Sequence, residues 1–253
     1  MRSPNVTYHA SVRPVGPRDG SLDRVEQPPR KSTGREVTEK AVEAALSAVP
    51  IAGGPLALAF GAVMGWAYSR RMEEWLNELA DAVDDLQQRL DDLNLDELAS
   101  NEDFVDAVVH ATRAAEGTHQ REKVEALRNA VLNVALPGAP ATDLIRIFLR
   151  YLDEFTPSHL RLLTFLNDPT AAFDAREIPK PDLMMGGRSH LLEQALPEFA
   201  GRRDFYDPIA SDLERAGLAS AGLHVTMTGA GLWQSATTDR GKKFLAFITD
   251  PRS

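Results

Sequence analysis

Residues 44–69, AALSAVPIAGGPLALAFGAVMGWAYS, followed by Arg70-Arg71 and then by MEEWLNELADAVDDLQQRLDDL at 72–93, decide how this chain is read. The first part is a run of 26 residues without charge between Glu43 and Arg70, long enough by length alone for a membrane span. Pro50, Gly53, Gly54 and Pro55 interrupt it. Proline cannot donate a helical hydrogen bond and glycine lowers helix propensity, so two helices joined by a tight turn are expected. Neither half exceeds about fifteen residues, too few to cross bilayer hydrocarbon as a straight helix.

Three uses of 44–69 stay open: the buried hairpin of a helical core, a hairpin that enters a membrane interface, and a permanent anchor. In the second, Leu56, Phe60 and Val63 meet lipid or a partner, while Trp66, Tyr68, Arg70 and Arg71 form an aromatic and basic edge at headgroup level.

The second helix is expected to start near Pro55, a residue suited to the first helical position, and to run to about Leu93, roughly 58 Å at 1.5 Å per residue. Within it Leu76, Leu79, Val83, Leu86, Leu90 and Leu93 recur at alternating spacings of three and four, a heptad seam of about two and a half repeats. The seam can pack against the chain's own helices, a second copy or a partner. Residues 72–106 carry thirteen acidic side chains and one basic, which reads as a solvated face.

Hydrophobic residues at 43% and charged residues at 26% exclude a wholly disordered chain and a polytopic membrane protein. The absence of cysteine removes disulfides, thiolate metal sites and cysteine nucleophiles together. The start, MRSPNVTYHASVRPVG, lacks the apolar core of a secretory signal, so export by that route is not expected. A cytoplasmic protein, peripherally membrane-associated if the hairpin inserts, is the expectation.

Residues 1–34, with five prolines and few large apolar residues, read as a disordered tail. Residues 35–167 read as a helical domain holding the hairpin 44–69 and an acidic heptad helix at 72–98. In it Asn101 caps a helix, an apolar stripe runs from Phe104 to Leu136, Thr142-Asp143 opens a further helix, and Thr156-Pro157 caps the next. Residues 168–188, with Pro169, Pro179, Pro181, Gly186 and Gly187, read as a linker.

Residues 189–253 follow as a small α+β unit. Helices are expected near Ser189–Leu196 and Arg203–Ala216, the latter stopped by Gly217. A hairpin of Leu223–Met227 with Leu232–Thr237 turns at Thr228-Gly229-Ala230-Gly231, and Thr238 caps a last helix. This is a winged-helix-like order. The fold class is thus mainly α: a multi-helix domain with a long amphipathic helix, then a winged-helix-like C-terminal unit.

Glu116 and His119 form one Glu-x-x-His. A di-iron bundle needs a second copy and two more glutamates, so no metal site is assigned. No Gly-x-Ser-x-Gly, Walker or dinucleotide fingerprint occurs, and no catalytic residue or cofactor is expected. For nucleic acid, the contact candidates are Arg202, Arg203, Arg215, Lys242 and Lys243. Residues 188–253 carry eight basic and eight acidic side chains, so charge disfavours DNA as the partner.

The segments Glu125–Leu132, Phe155-Thr156-Pro157 leading into Leu160-Arg161-Leu162-Leu163, Asp212–Leu218 and Thr237–Phe244, together with the interrupted apolar segment, resemble the Abi-alpha family of bacterial abortive-infection proteins over residues 40–249. The resemblance implies a bacterial, phage-defence-associated protein without known catalytic residues, and no site is carried over from it. The expectation is a non-enzymatic protein that contacts a protein partner, a second copy or a membrane surface. The alternative is a winged-helix DNA-binding regulator with a helical dimerisation domain.

Overall fold

The computed structural model describes the backbone of residues 55–90 and 93–252 and, apart from 55–60 and 95, their side chains. The tail 1–34, the first half of the hairpin and the side chains of Leu56 and Phe60 lie outside the described residues.

The chain is mainly helical, with one small antiparallel strand pair among the described residues. In order come α1 (Pro55–Arg89), α2 (Leu95–Ser100), α3 (Glu102–Glu116), α4 (Arg121–Ala135), α5 (Thr142–Glu154), α6 (Pro157–Asn167) and α7 (Pro169–Asp174). Then follow β1 (Met185–Gly186), α8 (Arg188–Ala195), α9 (Arg203–Arg215), β2 (Met227–Thr228), α10 (Gly229–Leu232) and α11 (Asp239–Ile248).

The helix starts follow local chemistry. Asn101 accepts from the Phe104 N–H at 3.2 Å and Thr238 accepts from the Gly241 N–H at 3.0 Å, each satisfying an amide the helix leaves unpaired. Gly217, at φ 68°, ends α9 as expected. The long helix stops at Arg89, short of Leu93. Asn94 then accepts from the Asp96 N–H at 2.9 Å and begins a separate helix. The apolar stripe of 104–136 is likewise two helices, broken where the Thr118 hydroxyl accepts from the Gln120 N–H at 3.1 Å.

Helix α4 is the centre of the core. Leu127, Ala130, Val131 and Leu132 have no exposed surface, and α1, α3, α5 and α11 all pack on it. Ala107, Ala111 and Ala115 give α3 a small-residue face that is wholly or almost wholly buried. From the C-terminal end, Phe244 and Phe247 of α11 meet Phe148 of α5 at ring distances of 5.3 and 5.4 Å. Residues 168–188 hold α7 and β1, and the buried core runs on through them to Phe247.

The heptad seam packs within the chain. Leu79, Val83 and Leu86 are buried and Leu90 and Leu93 half-buried, but Leu76 is 47% exposed. Trp75, at 3%, faces the core in its place, because its indole N–H reaches the Thr112 hydroxyl at 3.0 Å and buries a large ring without orphaning its donor. Ala82 joins the same face.

The expected hairpin of 223–227 with 232–237 does not form. Instead β2 pairs antiparallel with β1, Met185 opposite Thr228 and Gly186 opposite Met227. The backbone groups a hairpin needs are taken elsewhere: the Leu223 carbonyl accepts from Ser189 and the Ala236 N–H donates to Leu166. A side chain at Gly229 would strike the Leu183 carbonyl, so glycine lets the β1 chain approach, and Thr228-Gly229-Ala230-Gly231 winds into α10.

Two asparagines on α4 close the last helix. The Asn133 amide donates to the carbonyls of Phe247 at 3.0 Å and Thr249 at 2.8 Å, and Asn129 donates to that of Ile248 at 3.0 Å. These are terminal carbonyls that a helix cannot satisfy itself. Replacing Asn133 by Ala should cost about 1–3 kcal/mol through orphaned acceptors, and Leu86→Ala about 2–5 kcal/mol through a core cavity. Urea denaturation measures both, and light scattering of the Leu86→Ala chain should show the wild-type molar mass because the seam is internal.

Candidate functional site

The first half of α1 stands apart from the packing just described. Trp75 and Arg71 fix the helix to α3, the latter donating to the Glu116 carbonyl at 3.2 Å. A cation at the C-terminal end of α3 also complements the helix dipole. One turn earlier, the Tyr68 phenol lies beside the Glu116 carboxylate, and hydrogen bonding to that group, burial and its charge raise the phenol's pKa above the ordinary value. Among the described residues, Arg71 is the side chain nearest the N-terminus that donates a hydrogen bond to another helix.

From Tyr68 toward the N-terminus lies an uncharged arm. Val63 is 63% exposed, Met64 52%, Trp66 65% and Tyr68 50%. At about 100° per residue these four span an arc of about 200°, and the remaining side carries the small residues Gly61, Ala62, Gly65 and Ser69. Among the described residues, nothing lies within 4 Å of where a side chain at Gly61 or Gly65 would begin. From Tyr68 back to Pro55 the helix rises about 20 Å. At its base Arg70 lies over the Trp66 ring at 5.7 Å and pairs with Glu74 at 2.7 Å. No described helix is long and apolar enough to cross a membrane.

The structure therefore brings Val63, Trp66, Tyr68, Arg70 and Arg71 together on one projecting element, as their sequence proximity requires. It does not bring the nucleic-acid candidates together in the same way. Arg202 stacks over Phe205 at 4.2 Å, Arg203 pairs with Asp207 at 3.1 Å, and Arg215 pairs with Asp212 at 2.7 Å at the far end of α9. Lys242 and Lys243 are exposed on a different helix, α11. Glu116 lies beside Tyr68 while His119 is exposed, and the described residues contain no cluster of three metal-ligating side chains.

A hydroxyl–imidazole–carboxylate relay does occur where the sequence reading found none. Thr156 Oγ1 lies 2.9 Å from His159 Nδ1, and His159 Nε2 lies 3.4 Å from Asp212 Oδ2. The same Nδ1 accepts the Thr156 backbone N–H at 3.2 Å, which makes the group a capping box for α6 with histidine in the usual glutamate position. Its imidazole is buried and stacked on Phe155 at 4.8 Å. The relay serves the fold. The Thr156-Pro157 start was legible in sequence, but the role of His159 depends on Asp212, 53 residues away.

Buried Arg188 has a similar office. It donates to the carbonyls of Gly231 at 3.0 Å and Gln234 at 3.1 Å, and burial lowers its pKa. A cleft of about 370 Å³ between α4, α6, α7 and α11 has an apolar floor at Phe165 and Leu196. Beside it Arg161 is bound to Glu122 at 2.7 Å and to Glu198 at 3.2 Å, so its charges compensate one another. No protein-family model matches the chain, and no curated protein or solved structure matches it either.

Burial holds His159 below its ordinary pKa of 6.5, against the opposing pull of Asp212. The unfolded chain therefore takes up this proton first on acidification. The stability that neutral His159 contributes is complete above about pH 6.5 and is lost as pH falls through the lower folded value. Urea midpoints should drop from about pH 7.5 to about pH 5, and His159→Gln should show a smaller drop.

Proposed function

We propose that this is a non-enzymatic binding protein whose working element is the exposed arm of α1. One observation carries the reading: Val63, Met64 and Trp66 are each more than half exposed within one short uncharged stretch of α1, whereas Leu76, Val105 and Val109, the exposed large aliphatic residues described elsewhere on α1 and α3, are each less than half exposed. Contiguous exposed apolar surface marks an interaction site. The resemblance to Abi-alpha proteins gives this binding a bacterial, phage-defence setting, and a cytoplasmic protein with peripheral membrane association or a protein partner fits it. No cofactor is invoked.

The test is a double substitution, Val63→Asp with Met64→Asp. Because both side chains are solvated, the melting temperature should stay within a few degrees of wild type. In cell extract, wild type should sediment in a particulate or high-mass fraction and the variant as the free chain. In phage challenge, the variant should lose protection. Identical sedimentation of the two would overturn the reading.

A second reading rests on Lys242 and Lys243, exposed on α11, and on the order α8, α9, strand, α11, which is compatible with a winged-helix unit that binds DNA. Arg202, Arg203 and Arg215 support it less, being engaged by Phe205, Asp207 and Asp212. A labelled DNA duplex at low salt should remain unbound. Salt-sensitive binding lost in Lys242→Ala with Lys243→Ala would put DNA first.

A further inference from the structure

We infer that the occupant of the arm is the hydrocarbon of one bilayer leaflet, entered as far as Trp66 and Tyr68, an inference that rests on the arm being the working element. Residues 55–67 hold no polar side chain, and the exposed Val63, Met64, Trp66 and Tyr68 span about 200° of the helix, wider than the stripe a single partner helix covers. A protein groove or a second copy covers one side of a helix and leaves the other wet. Hydrocarbon surrounds it, and a helix apolar all round is stable only where it is enclosed on every side.

The order of residues along the helix matches the order of layers in a membrane. From Pro55 to Ala67 there is no charge; Trp66 and Tyr68 follow, then Arg70 and Arg71, and the first acid is Glu73. Hydrocarbon, interface, phosphate and water succeed one another in the same sequence. The arm's rise of about 20 Å exceeds half of a hydrocarbon core of about 30 Å, so it reaches the midplane without spanning. Arg71 bonds the Glu116 carbonyl and Tyr68 lies beside its carboxylate, so the body of the protein begins where the headgroups would.

Charge then sets the salt response. Residues 72–106 carry thirteen acidic side chains against one basic and repel an anionic surface, while Arg70 is already paired with Glu74. Binding comes from apolar burial and not from surface attraction. Added salt therefore leaves binding to neutral phosphatidylcholine vesicles unchanged and strengthens binding to anionic ones by screening the repulsion. A basic arm held by anionic lipid would show the opposite sign.

The chain has no cysteine, so a single Val63→Cys substitution in the full-length protein accepts an environment-sensitive fluorophore at one place. Val109→Cys and Met184→Cys, 44% and 93% exposed on the body as the native residues, serve as controls. With phosphatidylcholine vesicles the label at 63 should shift to the blue, brighten several-fold and be quenched by acyl-chain spin labels, while the labels at 109 and 184 do not change. A label at 63 that stays wet with vesicles overturns the inference. If that label instead becomes dry as protein concentration rises without lipid, a second copy is the occupant, and the lipid inference falls while the arm remains the working element. If it stays wet throughout and the Val63→Asp, Met64→Asp chain sediments like wild type, both fall.

Discussion

The enclosure of α4 is the constraint on which the rest of the structure depends. Leu127, Ala130, Val131 and Leu132 have no exposed surface, and such a helix must be covered from every side. Helix α3 can lie close because Ala107, Ala111 and Ala115 present nothing larger than a methyl group. Helix α1 covers a second side with Trp75, Leu79, Ala82 and Leu86, α5 a third, and α11 closes the bundle with Phe244 and Phe247. Once these four helices are in place, Leu127, Ala130, Val131 and Leu132 of α4 are closed off from solvent.

Enclosing a helix this fully creates a polar cost at the ends of its neighbours, and a few side chains meet it. Asn129 and Asn133 take the last carbonyls of α11. Just beyond, Arg252 binds Asp250 at 2.7 Å and Asp85 at 3.3 Å, its guanidinium holding the Asp250 carboxyl down at about 2, and Arg89 donates to the Arg252 carbonyl at 2.9 Å. The last residues are thereby tied to the packed half of α1 as well as to α4. His159 and Arg188 do the same work for the start of α6 and the end of α10.

The arm is the complement of that economy. Each large apolar side chain left in water forgoes about 1.5–3 kcal/mol of burial, and Val63, Met64 and Trp66 leave most of theirs unclaimed on one short stretch. The helix survives there because it is continuous with the packed part beyond Trp75, which supplies the cooperativity that an isolated segment of this length lacks. The Arg71 bond to the Glu116 carbonyl marks the boundary between the two regimes. The same sequence trait, apolar residues at helical density, thus makes core on one side of that boundary and available surface on the other.

Taken alone, the sequence determined what is settled within a turn or two of the chain. The helical class, the starts at Pro55, Asn101, Thr156-Pro157 and Thr238 and the stop at Gly217 all follow from caps and backbone conformation, whose energies depend on neighbours three or four residues away. The amphipathic character of 72–93 was equally legible, as was the uncharged run before it. Only the tertiary structure decided which side of each face is covered. Trp75 displaced Leu76 because Thr112 waits across the α1–α3 contact. The expected hairpin gave way because Ser189 and Leu166 claimed its backbone groups. Asn133 found its carbonyls some 114 residues away. Hydrophobic burial carries no direction of its own: periodicity says that a face must be covered, and only the competition among distant elements says by what, or leaves it, as on the arm, open to the surroundings.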